Sequence, residues 1–171
     1  MPFFFMDLDE RTREFALAEL DDDVVRDGVY VSERLSADGA AVYVGLLRDA
    51  LSSGNPASFE ASLSSPGIFN ASETTRQGVV RTMARNAASL LAGGEFNRYY
   101  VRAVAARAIA DGRSHVTIYR ARESGWHRPE SDAQIGLSVD AQNLLVDARA
   151  NSLTPEAISL PDVNSGLSVH L

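Results

Sequence analysis

Apolar positions at helical spacing run through the first third of the chain and set its expected elements. Leu17, Leu20 and Val24 form a stripe in a segment that opens on acids and ends before Gly28. The pattern predicts a helix over residues 8–26, with Asp7 and Glu10 placed as a capping box. "VYVSERL" then reads as a short extended piece. Ser36 is placed to cap a second helix, whose face carries Ala40, Tyr43, Leu46, Leu47, Ala50 and Leu51 and which closes at Gly54. Asn55-Pro56 suits the start of a third helix, with Phe59 and Leu63 on its buried side and Pro66-Gly67 as its stop. Residues 68–78 carry little periodicity and read as a loop.

The second half predicts a helix over residues 80–92, bearing Met83, Ala87, Leu90 and Leu91 and ended by Gly93-Gly94. Glu95 opens the next helix, which runs to Ala110 and stops at Asp111-Gly112. "HVTIYRAR" alternates β-branched and aromatic residues as a strand does, and "AQIGLSV" is a candidate second strand. Asp140 is placed to start a helix through Leu144, Leu145 and Ala148. The expected fold is a mainly helical α+β domain, amphipathic helices around a small sheet. Residues 1–153 form the single domain and 154–171 an extended C-terminal tail.

Composition sharpens one point. The 171 residues are 45% apolar and 23% charged, which is the globular range, and there is no cysteine. Disulfides and thiolate chemistry are thereby excluded. No apolar run is long enough for a membrane span, and "MPFFFMDLDE" lacks the basic start of a secretory signal. The expected setting is the cytoplasm, or a particle assembled there.

All sixteen basic residues are arginines, and their placement is uneven. Residues 1–75 carry a net charge of −9, residues 76–128 a net +7 and residues 129–171 a net −5. Either the acidic flanks fold against the basic centre, or that centre faces a phosphate or acidic partner.

Candidate chemistry centres on the arginines. Two helices joined by Gly-Gly and followed by a strand make a helix–turn–helix outline, in which Asn97, Arg98 and Arg102 would face nucleic acid with Tyr99 close by. Arg120 and Arg122 extend one side of the strand, beyond Val116 and Ile118. With Arg128 they make a candidate phosphate or carboxylate pocket, or a row that meets the chain's own acids.

Other motifs are fragmentary. Asp7-x-Asp9 after an apolar run resembles the nucleophile loop of haloacid-dehalogenase-like phosphatases, but later basic and acidic partners after further strands are missing; capping by Asp7 and Glu10 uses the same region without strain. His115, His127 and His170 have no ligand spacing between them. No catalytic residue, metal site or cofactor is expected.

"EFNRYYVRA", "YRAR…RPES" and "NSGLSVHL" resemble uncharacterised short proteins of GC-rich bacteria and their tailed phages or prophages. The likeness covers most of residues 94–149 and the tail, and implies a phage or mobile-element component without naming an activity. The leading expectation is a non-enzymatic protein–protein interaction or assembly component of a phage-like particle, working as a homo-oligomer or with a protein partner. The alternatives are a nucleic-acid binder and an enzyme acting on a phosphorylated or carboxylated substrate.

Overall fold

The computed structural model describes residues 3–75, 77–123, 129–154 and 165–171. Among these residues, the helices are α1 (Glu10–Val25), α2 (Ala37–Ser53), α3 (Pro56–Leu63), α4 (Ala87–Ala110), the short α5 (Pro129–Asp132) and α6 (Ala141–Ala150). β1 (Ser72–Thr74) and β2 (Val80–Thr82) make an antiparallel hairpin. β3 (His115–Arg120), β4 (Ser138–Asp140) and β5 (Leu167–His170) make an antiparallel sheet in the order β4-β3-β5. The fold is the expected mainly helical α+β arrangement. No helix among the described residues is long and apolar enough to cross a membrane.

Several helix starts follow the side-chain chemistry closely. Ser36 accepts a hydrogen bond from the Gly39 amide (2.9 Å) and starts α2, which ends at Gly54. Asn55 and Ser58 form a reciprocal capping box with Pro56 in the first turn of α3. Asp140 accepts from the Asn143 amide (2.8 Å) and starts α6. At α1 the cap is Asp9 rather than Asp7: its carboxylate takes the Thr12 amide at 2.9 Å. Asp7 instead accepts the Leu171 amide at 2.9 Å, and Asp9 also binds Arg107 at 2.7 Å. Both acids of the Asp-x-Asp motif therefore have structural partners. "FFF" contributes one backbone bond, from the Phe4 amide to the Ala121 carbonyl (2.7 Å), and no strand.

The largest departure is α4. The two expected helices are one, twenty-four residues long, and Gly93-Gly94 lies inside it. Glycine costs about 1 kcal/mol in a helix interior, and at Gly93 packing explains its presence. A Cβ there would sit 2.8 Å from a Phe3 ring carbon. Phe3 stacks on Phe5 (5.4 Å between centroids), and Phe5 in turn meets Phe96 and Tyr100. Residues 80–82, read as the start of a helix, are β2, and residues 72–74, read as loop, are β1. "VYVSERL" forms no strand, and only Leu35 bridges, to Phe69.

α4 is the axis of the core, buried along most of its length with α1, α3 and α6 packed against it. β3 covers this core with Val116 and Ile118, while Tyr119 on its other face is buried by the N-terminal segment, donating to the Phe4 carbonyl (2.9 Å). Of the segment expected as an extended C-terminal tail, residues 165–171 are described. β5 pairs with β3 (Ile118 opposite Val169), so these residues complete the chain's own sheet. Residues 155–164, also assigned to that tail, lie outside the described residues.

Candidate interaction site

Arg98 and Arg102 point into the protein. A helix with its base-reading side chains buried cannot enter a groove of DNA, and the helix–turn–helix outlined at Gly93-Gly94 is not formed, because α4 runs through it. Both arginines project from the middle of α4, where 1% or less of either is exposed.

Arg102 meets two acids one turn apart on α1. Its Nε donates to Glu19 Oε2 at 2.8 Å, and its Nη1 to Asp23 Oδ2 at 2.5 Å. The Tyr99 hydroxyl adds a bond to Asp23 (2.9 Å), and Arg149 of α6 reaches Glu19 at 2.5 Å. Burial alone would push the Glu19 carboxyl up, but Arg149 and Arg102 outweigh it and hold it below the ordinary glutamate value. Burial likewise works against the Arg102 charge, and Asp23 and Glu19 more than restore it. The Tyr99 hydroxyl is pushed well up by burial and by Asp23, so it stays a donor.

Arg98 has a different task. It pairs with Glu95 (Nε to Oε2, 3.1 Å) and donates to the carbonyls of Asn151 (3.0 Å) and Thr154 (2.6 Å) just past α6. Arg13 does the same for α2, binding the carbonyls of Leu51 (2.8 Å) and Gly54 (2.9 Å). Helix ends leave such carbonyls without intrahelical partners, and a planar guanidinium can serve two at once. The uneven charge of the sequence is thus largely spent inside the fold.

The remaining expected site residues do not converge with these. Arg120, whose side chain is 8% exposed, pairs with Asp132 at 2.5 Å. Arg122 lies over the Phe3 ring (4.9 Å) beside a depression of about 240 Å³ that Glu60 and Ser89 share. Arg128 falls outside the described residues. Arg98, Tyr99 and Arg102 form an interior group, and Arg120 and Arg122 lie apart from it.

A larger concavity lies elsewhere. A groove of about 1270 Å³ runs between residues 29–34 and β1, floored by the first turns of α4 and reaching Leu153. Its apolar lining includes Val31, Leu90 and Leu153, exposed by 42%, 37% and 57%. Glu95 reaches its floor, where burial raises its carboxyl above the usual range against the pull of Arg98. Glu73 fastens the β1 wall, bound by Arg34 (2.7 Å) and by Arg81 (2.8 Å) of β2.

The groove touches all three residues of β1 and none of β2, so it follows the outer edge of the hairpin. The hairpin's hydrogen bonds use Met83 to Ala71 (3.0 Å) and Thr75 to Val79 (2.9 Å). Antiparallel alternation assigns the next bonded pair to Glu73 and Arg81. Ser72 and Thr74 therefore turn their backbone groups outward along the groove, and Val80 and Thr82 turn theirs outward on the opposite edge.

Sequence reasoning missed this region. The signal was present in "SETTRQGVVRT", two β-branched runs around a glycine, and Gly78 adopts a left-handed φ of 78° in the turn. No protein-family model, curated protein or solved structure matches this chain.

Proposed function

We propose that this chain is a non-enzymatic assembly protein that associates with further copies of itself through the groove beside β1. The supporting observation is the combination found there: an open strand edge, and exposed Val31, Leu90 and Leu153 lining one concavity. A strand edge with free backbone groups invites another chain, and apolar side chains next to it add area to bury. A repeating particle component would use contacts of this kind.

The nucleic-acid reading calls on Arg98 and Arg102, which are already committed to Glu95, Glu19 and Asp23. The phosphate reading calls on Arg120, which pairs with Asp132, on Arg122, and on Arg128, which lies outside the described residues. Native mass spectrometry of the full chain over rising concentration tests the assembly reading. Discrete species larger than the 18.4 kDa monomer are expected; a monomer at every concentration would overturn it.

A further inference from the structure

We infer that the depression shared by Arg122, Glu60 and Ser89 binds a small zwitterion, an α-amino acid with an apolar side chain. The site lies where the N-terminal segment, α3, the first turns of α4 and the end of β3 come together, away from the groove beside β1. It does not rest on the assembly reading. Arg102, Arg107, Arg120 and Arg149 each meet a carboxylate. Arg122 and Glu60 line one depression, yet neither has a partner of opposite charge among the described residues.

The Arg122 cation is held in place without being neutralised. Its amide donates to the Gly166 carbonyl at 2.9 Å, and a Cβ at Gly166 would sit 2.7 Å from the Arg122 carbonyl oxygen. Its guanidinium lies 4.9 Å from the centre of the Phe3 ring, which stacks on Phe5 within 6° of parallel. Phe5 is anchored in turn by Phe96 and Tyr100. A ring attracts the cation but supplies no acceptor oxygen, so the planar N–H fork stays available for a ligand carboxylate. A side chain positioned beforehand also loses less freedom on binding.

Glu60 decides the rest of the ligand. It stands on α3, which Phe59 and Leu63 fix in the core. A carboxylate beside the single arginine repels a doubly charged phosphate and attracts an ammonium. The Ser89 hydroxyl adds a neutral polar group, and Phe3, Pro56 and Ala57 suit an apolar side chain. The volume of about 240 Å³ falls below the roughly 300–1,000 Å³ of drug-sized sites, which favours an amino acid over a nucleotide.

Isothermal titration calorimetry of the full chain with L-phenylalanine tests the site, and saturable binding is expected. Phenylalanine amide lacks the carboxylate and N-acetyl-phenylalanine lacks the ammonium; each should bind about ten- to hundredfold more weakly. Arg122→Gln and Glu60→Gln should weaken binding of phenylalanine by the same factor with melting temperatures unchanged, since both side chains are partly exposed. Arg122→Lys keeps the charge without the fork and should recover part of the loss.

No saturable binding of phenylalanine or leucine at millimolar concentration overturns the site. Binding that is indifferent to both glutamine variants overturns its location. N-acetyl-phenylalanine or inorganic phosphate binding as tightly as phenylalanine overturns the zwitterion assignment.

Discussion

Arg102 and Asp23 meet in the interior through two contacts, Nη1 to Oδ2 at 2.5 Å and Nη2 to Oδ1 at 3.1 Å, with neither side chain more than 1% exposed. This side-on pairing joins the centre of α4 to the last turns of α1. Its value is asymmetric: replacing an entire buried ion group by apolar residues can be neutral, whereas removing one member leaves a buried charge uncompensated.

Arg102→Met should therefore destabilise the fold by about 3–5 kcal/mol, a large part of the stability of a domain this size. Arg102→Lys should recover only part of the loss, because an ammonium cannot span Glu19 and Asp23 with a planar fork. Urea denaturation at neutral pH measures both. Equal stability of the methionine variant and wild type would contradict the buried-pair account.

The same cluster sets an acid limit. Glu19 is held below its ordinary value of 4.5 in the folded chain, by Arg149 and Arg102 working against burial. A depressed carboxyl contributes stability above the unfolded-state value and loses it as pH falls through the folded one. Glu95 works in the opposite sense: its carboxyl is raised by burial, so its ionisation weakens the fold as pH rises above 4.5 toward the raised value. Glu19→Gln should cost stability near neutral pH, with the gap to wild type narrowing below pH 4.5. Denaturation midpoints between pH 3 and 7 measure that gap, and a pH-independent gap would refute the assignment.

Asp27 is the one non-glycine residue with positive φ among those described, at 53°, just past the end of α1. Glycine adopts this conformation without a Cβ penalty, and an acid at a helix C-terminus opposes the helix dipole. Asp27→Gly should stabilise the protein by about 0.5–1 kcal/mol, seen as a higher melting temperature. Asp27→Ala, which relieves the charge but not the φ, should gain less.

The Tyr43 hydroxyl is buried and has no hydrogen-bond partner among the described residues. Removing a buried polar group without a partner relieves its desolvation cost, about 1–3 kcal/mol for such a group. The ring itself is needed, since it packs on Phe59 at 5.9 Å. Tyr43→Phe should be stabilising and Tyr43→Leu destabilising in thermal melts. A loss with phenylalanine would mean that the hydroxyl is satisfied in solution.

Legibility followed the range of the interaction. Ser36, Asn55-Pro56 and Asp140 were readable because caps act within three residues of their own position. The fold class followed from the same local signals. Gly93-Gly94 misled because the reason for Gly93 is Phe3, ninety residues away, and a tertiary contact overrode local propensity. The arginine cluster was visible, but its direction was not: Arg98 and Arg102 look alike exposed or buried until α1 and α6 supply Glu19, Asp23 and the Asn151 carbonyl. Residues 72–82 lack a long periodic run, so periodicity alone reads the groove wall as loop and helix.

The spacing of the interior charges along the chain has a consequence during synthesis. Glu19 and Asp23 leave the ribosome some eighty residues before Arg102, and Arg149 follows 130 residues after Glu19. At ordinary elongation rates of roughly 5–20 residues per second, Glu19 and Asp23 wait seconds for Arg102 and Arg149. Until α4 arrives, the emerging acids repel one another and oppose early collapse. The arginines then act as a late assembly signal, joining the halves only once both exist.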